Sequence, residues 1–348
     1  MRKIAIAEIK PGMKLAKTIY RKDDGRILLR ADSVIKEYHI ERLIEYNCEH
    51  AVVYDNEDEF GQEVSVEPIE EETRTKAVAL LKQSIKHLKT DGILECEDLF
   101  PVVQEIIEYI LADPLVIYNM NAIRNHDSYT FSHSVNVCVI ATLIGSVIGY
   151  DRNELQILGI GAMLHDIGKV RIASIILNKK ERLEPFEFDL MKSHTLEGYD
   201  ILKQSVHISF LPAHIALQHH EREDGSGYPK GLTSADIHPY AQIVAVADVF
   251  DAMTSERIYK PASPTYLAYL EIVDKAGIQF HHTVVEALKK VLTPYPKGSI
   301  WLLSNNATVV VISVTRIDCV AKDLNERNCE KVYNLYKLAG LKIMQKLN

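Results

Sequence analysis

The sequence predicts a mainly α-helical protein, with an all-helical central domain between a small α+β N-terminal domain and a short β-containing C-terminal extension. Residues 122–295 carry apolar side chains at helical spacing almost throughout. Before residue 66, short apolar stretches alternate with turn signals, and after residue 295 the apolar period changes to that of strands. A chain of 348 residues is long enough for two or three such units.

Residues 1–66 are predicted to form the small strand-rich domain. The segment 3–7 is short and apolar, and Asp23-Asp24-Gly25 before 26–29 is typical of a hairpin turn. Residues 35–46 have helical spacing, and residues 51–54 are predicted to form another strand. Nothing in this domain indicates catalysis.

Residues 67–121 are interpreted as an acidic linker followed by helices. The linker, at 67–72, contains Pro68, and from residue 73 onward Val78, Leu81 and Ile85 recur at helical spacing. Such helices could form the stalk of a homodimer, but the favoured interpretation is that they pack on the next domain.

Within residues 122–295, the stretch 132–148 is apolar nearly all round and predicts a buried central helix, followed by another helix at 154–164. In the extension at 296–348, two predicted strands at 299–303 and 308–315 are joined by a turn at 304–306. The tail after residue 316 is ambiguous between strand and helix.

Charge and cysteine content exclude several classes of protein. The net charge of −8 makes binding to long nucleic acid a poor hypothesis. The longest apolar run, at 135–149, is about 15 residues and falls short of a membrane span. Five scattered cysteines without a CxxC pair favour reduced thiols, and no signal peptide is evident. We therefore expect a cytoplasmic protein.

His165 and Asp166 are the most informative pair of residues, because they stand side by side in an apolar run. Burying an unpaired carboxylate is costly, so Asp166 needs a cation or strong hydrogen-bond donors. A metal ion would satisfy both side chains at once.

Further candidate ligands lie on other predicted helices, and helical bundles build metal sites from residues on facing helices. These candidates are His133, His194, His219, His220 and Asp248. Imidazole and carboxylate ligands suit iron, manganese and similar divalent ions, and two such ions could share Asp166. His207 and His214 are interpreted as core or surface residues instead.

The segments 165–169, 219–229 and 248–260 together resemble the HD-GYP family, a subgroup of the HD superfamily of metal-dependent phosphohydrolases. The resemblance covers roughly residues 122–295 and implies that they form an all-helical HD-type catalytic domain. It implies hydrolysis of the bacterial second messenger cyclic di-GMP to pGpG, and leaves open whether the reaction continues to GMP.

The resemblance also implies roles for individual residues. Metal ligands would be His133, His165, Asp166, His194, His219, His220 and Asp248, binding two divalent ions, Fe or Mn. Asp166 and Lys169 would be catalytic, and the substrate phosphates would be bound by Lys169, Arg257 and Lys260. The GYP loop, with Gly227, Tyr228 and Pro229, is associated in the family with substrate access and with contacts to diguanylate cyclase domains.

Two positions depart from the family pattern. Tyr129 stands where some members have a glutamate that helps to hold a third metal, so we expect two ions and leave the end product open. His281 and His282 stand where the family often has Asp-Pro, and they are interpreted as a helix start outside the site.

The mechanistic hypothesis is in-line attack on phosphorus by a hydroxide that bridges the two metal ions. One alternative is a phosphohydrolase for another cyclic dinucleotide or nucleotide. The other is a non-catalytic sensor that binds the dinucleotide and signals through partners.

Overall fold

In the part of the chain that the structure describes, three successive segments each form an apolar core. The core residues lie within 4–53, 69–292 and 295–335. The structure is a computed structural model. It describes residues 2–20, 27–29, 33–46, 48, 50–54, 69–112, 129–179, 181–205, 208–255, 263–292, 294–295, 297–314, 318–325, 331–338 and 340–347. Helices dominate the largest core, which confirms the predicted mainly α fold class.

The described N-terminal residues form two antiparallel strand pairs and one α-helix. Strand β1 (Arg2–Ala5) pairs with β4 (His50–Val53), and β2 (Ile19–Tyr20) pairs with β3 (Ile27–Leu29). Helix α1 (Glu37–Glu45) lies between β3 and β4 in the chain and buries Leu43. The predicted turn at 23–25 lies outside the described residues.

Helices α2 (Glu71–Asp91) and α3 (Leu99–Ala112) belong to the same apolar core as the helices that follow them. Helix α2 contributes Ala77, Leu81 and Leu88 to this core. The prediction that these helices pack on the central domain is therefore confirmed, whereas the domain boundary at 121–122 stays a prediction because it falls outside the described residues.

Helix α4 (Tyr129–Ile148) is the centre of the large core and contacts α2, α3 and α5 (Arg152–Met163). Its residues 132–145 are all buried, as the apolar pattern predicted. The stretch Phe131–Ile148 is long and apolar enough to cross a membrane, and 78% of it is buried inside the protein.

Further helices follow α4 and α5 in the chain. They are a 3-10 helix (Ile167–Arg171), α6 (Ser174–Leu177), α7 (Pro185–Lys192), α8 (His194–Gln204), α9 (Phe210–Gln218), α10 (Pro239–Thr254), α11 (Thr265–Asp274) and α12 (His282–Val291). Helices α10 and α12 pack directly on α4, while α9 packs on α5 and α8. The ends of α5, α7 and α9 are thereby brought together.

The C-terminal residues form a five-stranded antiparallel sheet in the order β8-β7-β6-β5-β9. Its strands are β5 (Ile300–Leu303), β6 (Thr308–Val314), β7 (Cys319–Asp323), β8 (Val332–Asn334) and β9 (Ile343–Lys346). The predicted hairpin is the β5–β6 pair, and Trp301 is fully buried beneath it. Where the structure describes the ambiguous tail after residue 316, it forms the strands β7, β8 and β9.

The capping box at the start of α5 yields a stability prediction. The Asp151 carboxylate accepts hydrogen bonds from the backbone N–H groups of Asn153 and Glu154. Asp151→Ala removes this cap and should lower the free energy of unfolding by about 1 kcal/mol. Urea denaturation of the metal-free protein measures the change. Asp151→Asn, which can accept the same bonds, is the control, and an equal loss in both variants would contradict the capping role.

Candidate metal centre

Three histidines share one local arrangement, in which a ring nitrogen forms a hydrogen bond with a backbone carbonyl at the end of a helix. The Nδ1 of His165 lies 2.7 Å from the carbonyl oxygen of Ala162, that of His194 lies 2.6 Å from Met191, and that of His219 lies 2.9 Å from Ala216. Each carbonyl belongs to the residue three positions earlier, in the last turn of α5, α7 or α9. Such carbonyls have no partner within their own helix, so the imidazoles satisfy them.

These hydrogen bonds determine which nitrogen of each ring is exposed to the centre. A carbonyl only accepts, so each Nδ1 carries the proton and Nε2 faces inward. Burial lowers the pKa of His194 and lowers that of His219 further, so both rings are neutral and neither Nε2 can donate. Nevertheless, the two Nε2 atoms lie only 3.4 Å apart. Two facing lone pairs at this distance repel each other, and a cation beside them would offset that repulsion.

Asp166 lies in the middle of this group, and each of its carboxylate oxygens faces different histidines. Oδ1 lies 3.4 Å from Nε2 of His194 and 3.9 Å from Nε2 of His219. Oδ2 lies 3.4 Å from Nε2 of His165 and 4.0 Å from Nε2 of His133. Asp166 therefore stands between two sets of imidazoles.

Lys169 forms an ion pair with Asp166 Oδ2. Burial by itself raises the pKa of Asp166, but the nearby positive charge of Lys169 and the surrounding imidazoles outweigh it and hold that pKa well below its usual value. Asp166 is thus ionised and only 8% exposed. A buried carboxylate of this kind needs positive charge close to it.

His133, on α4, lies between two carboxylates of α10. Its Nε2 is 3.2 Å from Asp248 Oδ1, and its Nδ1 is 2.7 Å from Asp251 Oδ2. Burial lowers the pKa of His133, but the hydrogen bonds to the two carboxylates outweigh burial and raise it to about 9. His133 in turn holds the pKa of Asp248 well below its usual value, against the effect of burial.

Asp251 was not singled out in the sequence, although it is 2% exposed and contacts a predicted ligand. It also accepts hydrogen bonds from Asn136 Nδ2 at 2.8 Å and from Ser255 Oγ at 3.1 Å. A signal was present, because Asp251 follows Asp248 by three residues and therefore shares its face of α10. A carboxylate behind a ligating imidazole is the usual partner that orients such a ring.

His220 completes the group from the loop after α9. Its ring lies 4.0 Å from that of His219, 5.1 Å from that of His194 and 4.7 Å from that of Tyr228. Burial lowers the pKa of His220 to about 3, so the ring is neutral. A neutral imidazole offers a lone pair to a metal ion.

The seven side chains predicted as ligands fall into three overlapping groups, each with donor atoms within 4.8 Å of one another. These groups are Asp166, His194, His219 and His220; His133, His165 and Asp166; and His165, His219 and Asp248. Among the described residues, His165 Nε2 and Asp166 Oδ1 are buried without a hydrogen-bond partner. Buried acceptors without a hydrogen-bond donor fit a divalent cation, and a nitrogen and oxygen donor set without cysteine suits iron or manganese better than structural zinc.

Gly168 allows the 3-10 helix after Asp166 to lie against the start of α8. A Cβ at this position would overlap the carbonyl oxygen of His194 and the backbone nitrogen of Gly198. A side chain here would therefore push His194 away from Asp166.

The loop after His220 is held by the carboxylate of Glu221, which is 3% exposed. This carboxylate accepts the backbone N–H groups of Lys230 at 2.7 Å and Leu232 at 2.9 Å. Tyr228, whose peptide bond to Pro229 is cis, lies against His220 and 6.5 Å from His194, ring to ring. Tyr228 therefore faces the histidines.

The other residues discussed from the sequence lie elsewhere. Arg257, Lys260 and His207 are outside the described residues, and Tyr129 begins α4. His281 is the N-cap of α12 and His282 its first residue, as predicted for a helix start outside the site. The half-buried His214 contacts the rings of Tyr199 and Phe210.

Comparison with known proteins agrees with this fold. Residues 118–284 match the family model of the HD domain. The chain is 30% identical over 250 residues to a cyclic di-GMP phosphodiesterase of Pseudomonas aeruginosa. The aligned region covers 70% of this chain and 60% of that protein. The chain is also 37% identical over 227 residues to a cyclic di-GMP phosphodiesterase of Thermotoga maritima. That aligned region covers 63% of this chain and 61% of that protein. The chain thus spans about three fifths of the length of both relatives.

A solved structure shares the fold across most of the chain. It is an HDG"Y"P protein from Bdellovibrio bacteriovorus, with a TM-score of 0.51, 18% identity, and coverage of 82% of this chain and 97% of that one.

The matched region and the histidine and aspartate cluster define an HD domain, the fold of a superfamily of metal-dependent phosphohydrolases. Cyclic di-GMP phosphodiesterases are thus among the relatives of this chain, in agreement with the resemblance of its sequence to the HD-GYP family.

The close packing at Gly168 yields a second prediction. Gly168→Ala should lower the free energy of unfolding by about 1–3 kcal/mol, because overpacking forces the backbone apart. It should also reduce the metal content of the purified protein, because His194 moves. Thermal denaturation and elemental analysis measure the two effects. Gly198→Ala, whose added Cβ would come no closer than 3.3 Å to its neighbours, is the control. Full metal content in Gly168→Ala would refute the positioning of His194.

Proposed function

We propose that the protein is a cytoplasmic, metal-dependent phosphodiesterase that hydrolyses cyclic di-GMP to pGpG. The observation that carries this proposal is the convergence of six further nitrogen and oxygen donor residues around the buried Asp166. The two relatives that share 30% and 37% identity are cyclic di-GMP phosphodiesterases, which supports this substrate.

The centre is proposed to hold two divalent ions, Fe or Mn, with Asp166 shared between them. The separate orientation of the two carboxylate oxygens supports this arrangement. Oδ1 faces His194 and His219, with His220 beside them, whereas Oδ2 faces His165 and His133. Asp248, whose Oδ1 lies 3.2 Å from His133 Nε2, would be a further ligand. When bound, two such ions lower the pKa of a water molecule and polarise a phosphoryl group.

Residues of the chain itself would bind and orient the dinucleotide. Lys169 reaches the centre and is one-third exposed, so its ammonium can pair with a phosphate oxygen at the mouth of the site. Arg257 and Lys260 are proposed to hold the second phosphate. The ring of Tyr228 offers an aromatic surface beside the histidines, and guanine bases stack on such surfaces.

The rest of the GYP loop is proposed to contact diguanylate cyclase domain proteins. Its support is exposure, because Lys230 and Gly231 lie on the surface while Tyr228 faces the centre. A homodimer is a further proposal. Residues 69–112 would not form a separate stalk in such a dimer, because they pack in the large core.

The decisive experiment is anaerobic purification with metal analysis, followed by an assay on cyclic di-GMP and identification of the product. About two Fe or Mn ions per chain and production of pGpG are expected. Tight binding without turnover in the loaded protein would identify a sensor. Faster turnover of another cyclic dinucleotide would replace the substrate but keep the reaction.

Asp166→Ala should abolish turnover and metal binding, because it removes the carboxylate on which both sets of histidines converge. Loss of even an outer partner of a metal ligand costs about 10–100-fold, so a fall of at least about 100-fold in kcat/KM is expected. Asp224→Asn, on the exposed part of the loop, is the matched control. Normal activity and metal content in Asp166→Ala would refute the site.

Lys169→Met should lower kcat/KM while metal remains bound. A hydrogen bond to a charged group contributes roughly 1.5–3 kcal/mol, which corresponds to about 10–100-fold. Lys169→Arg keeps the charge and should recover part of the activity. Loss of metal from Lys169→Met, or unchanged kinetics, would contradict a role in phosphate binding.

A further inference from the structure

Arg74 is a buried charge on a helix that precedes the HD domain. Arg74 is 3% exposed and lies in the first turn of α2. The match to the HD domain model begins only at residue 118. Burying a guanidinium is costly unless hydrogen-bonded partners compensate for lost hydration. The partners of Arg74 therefore indicate what this charge does.

A continuous line of hydrogen bonds joins Arg74 to the metal centre. Arg74 Nη1 donates to Asn136 Oδ1, and Asn136 Nδ2 donates to Asp251 Oδ1 at 2.8 Å. Asp251 Oδ2 then lies 2.7 Å from Nδ1 of His133. The Nε2 of His133 faces Asp248 and Asp166. The hydrogen bonds thus lead from α2 to α4, from α4 to α10, and from α10 back to His133 on α4.

The chemistry of these groups permits a single arrangement. Arginine has only donors and an ionised carboxylate only acceptors, so Asn136 must direct its oxygen to Arg74 and its nitrogen to Asp251. Asp251 then accepts the proton on Nδ1 of His133, which leaves Nε2 directed at the centre. Removal of Arg74 would free the amide of Asn136 to turn and so weaken its hold on Asp251.

Packing alone does not account for an arginine here. Replacement of buried ionic groups by apolar residues of similar volume is often neutral or stabilising. The buried face of α2 already contributes Ala77 and Leu81 to the core. The first turn of α2 is instead tied to α3, because Thr73 Oγ1 and Lys76 Nζ bond to Glu105 at 2.5 Å and 3.1 Å. These bonds hold Arg74 in register with Asn136.

We propose that Arg74 is a positioning residue of the metal centre, acting through Asn136 and Asp251 on His133. The HD centre is thereby completed by a side chain from a helix outside the matched HD region. This inference rests on the proposed metal site, and it assigns to α2 a role in metal affinity.

The test is Mn(II) titration of the metal-free protein by calorimetry, with wild type and Arg74→Met compared. Arg74→Met should weaken the affinity of at least one site by about ten-fold, the lower end of the range for outer partners of a ligating histidine. Arg74→Lys, which keeps a buried donor and the charge, should recover part of the affinity. Thermal denaturation confirms that each variant is folded.

Leu81→Ala is the structural control, because it destabilises the same face of α2 without touching the hydrogen-bond line. It should lower the unfolding temperature and leave Mn(II) affinity within two-fold of wild type. An equal loss of affinity in Leu81→Ala and Arg74→Met would mean that Arg74 acts only through packing, and would overturn the proposal.

A double-mutant comparison tests the route. In an Asp251→Asn background, Arg74→Met should have no further effect on affinity, since the line is already broken. Additive losses would overturn the route through Asp251. Absence of Mn(II) binding in wild type would refute the proposed function itself, whereas wild-type binding with unchanged affinity in Arg74→Met would refute only the role of Arg74.

Discussion

The centre depends on hydrogen bonds from three imidazoles to the last free carbonyls of three helices. Each bond links a histidine to the residue three positions earlier, so the helix end and the ring orientation are determined together. The carbonyl fixes the proton on Nδ1, and the lone pair of Nε2 therefore points to the same space in each case. The orientation of each of these donors is thus determined by local backbone structure.

Tertiary packing then brings these local units together around α4. Helices α5 and α10 pack on α4, α9 packs on α5, and α8 packs on both α9 and the 3-10 helix after Asp166. The absence of a side chain at Gly168 sets the closest of these approaches. Because the helices are buried on several sides, the polar groups at their ends can be satisfied only by one another or by a bound ion.

The sequence was sufficient for the local parts of this picture and insufficient for the distant ones. Helical spacing predicted α4 and α5, and the adjacent His165 and Asp166 led to the other donors. The strands after residue 316 were ambiguous because they are short and mix apolar with polar residues. Arg74 and Asn136 were missed because each is a single polar residue on a largely apolar helix face. Their contact spans 62 residues of sequence, and no local period encodes such a pairing.

The ends of α5 and α9 have an electrostatic consequence beyond their role in aligning rings. The carboxyl end of a helix carries roughly half a negative charge. These two ends therefore add about one negative charge to the charges of the Asp166 and Asp248 carboxylates. The resulting negative potential attracts cations and repels phosphate esters. For the proposed function, this means that metal ions would bind before the anionic dinucleotide, and that the rate of dinucleotide association would depend on how fully the protein has been loaded with metal.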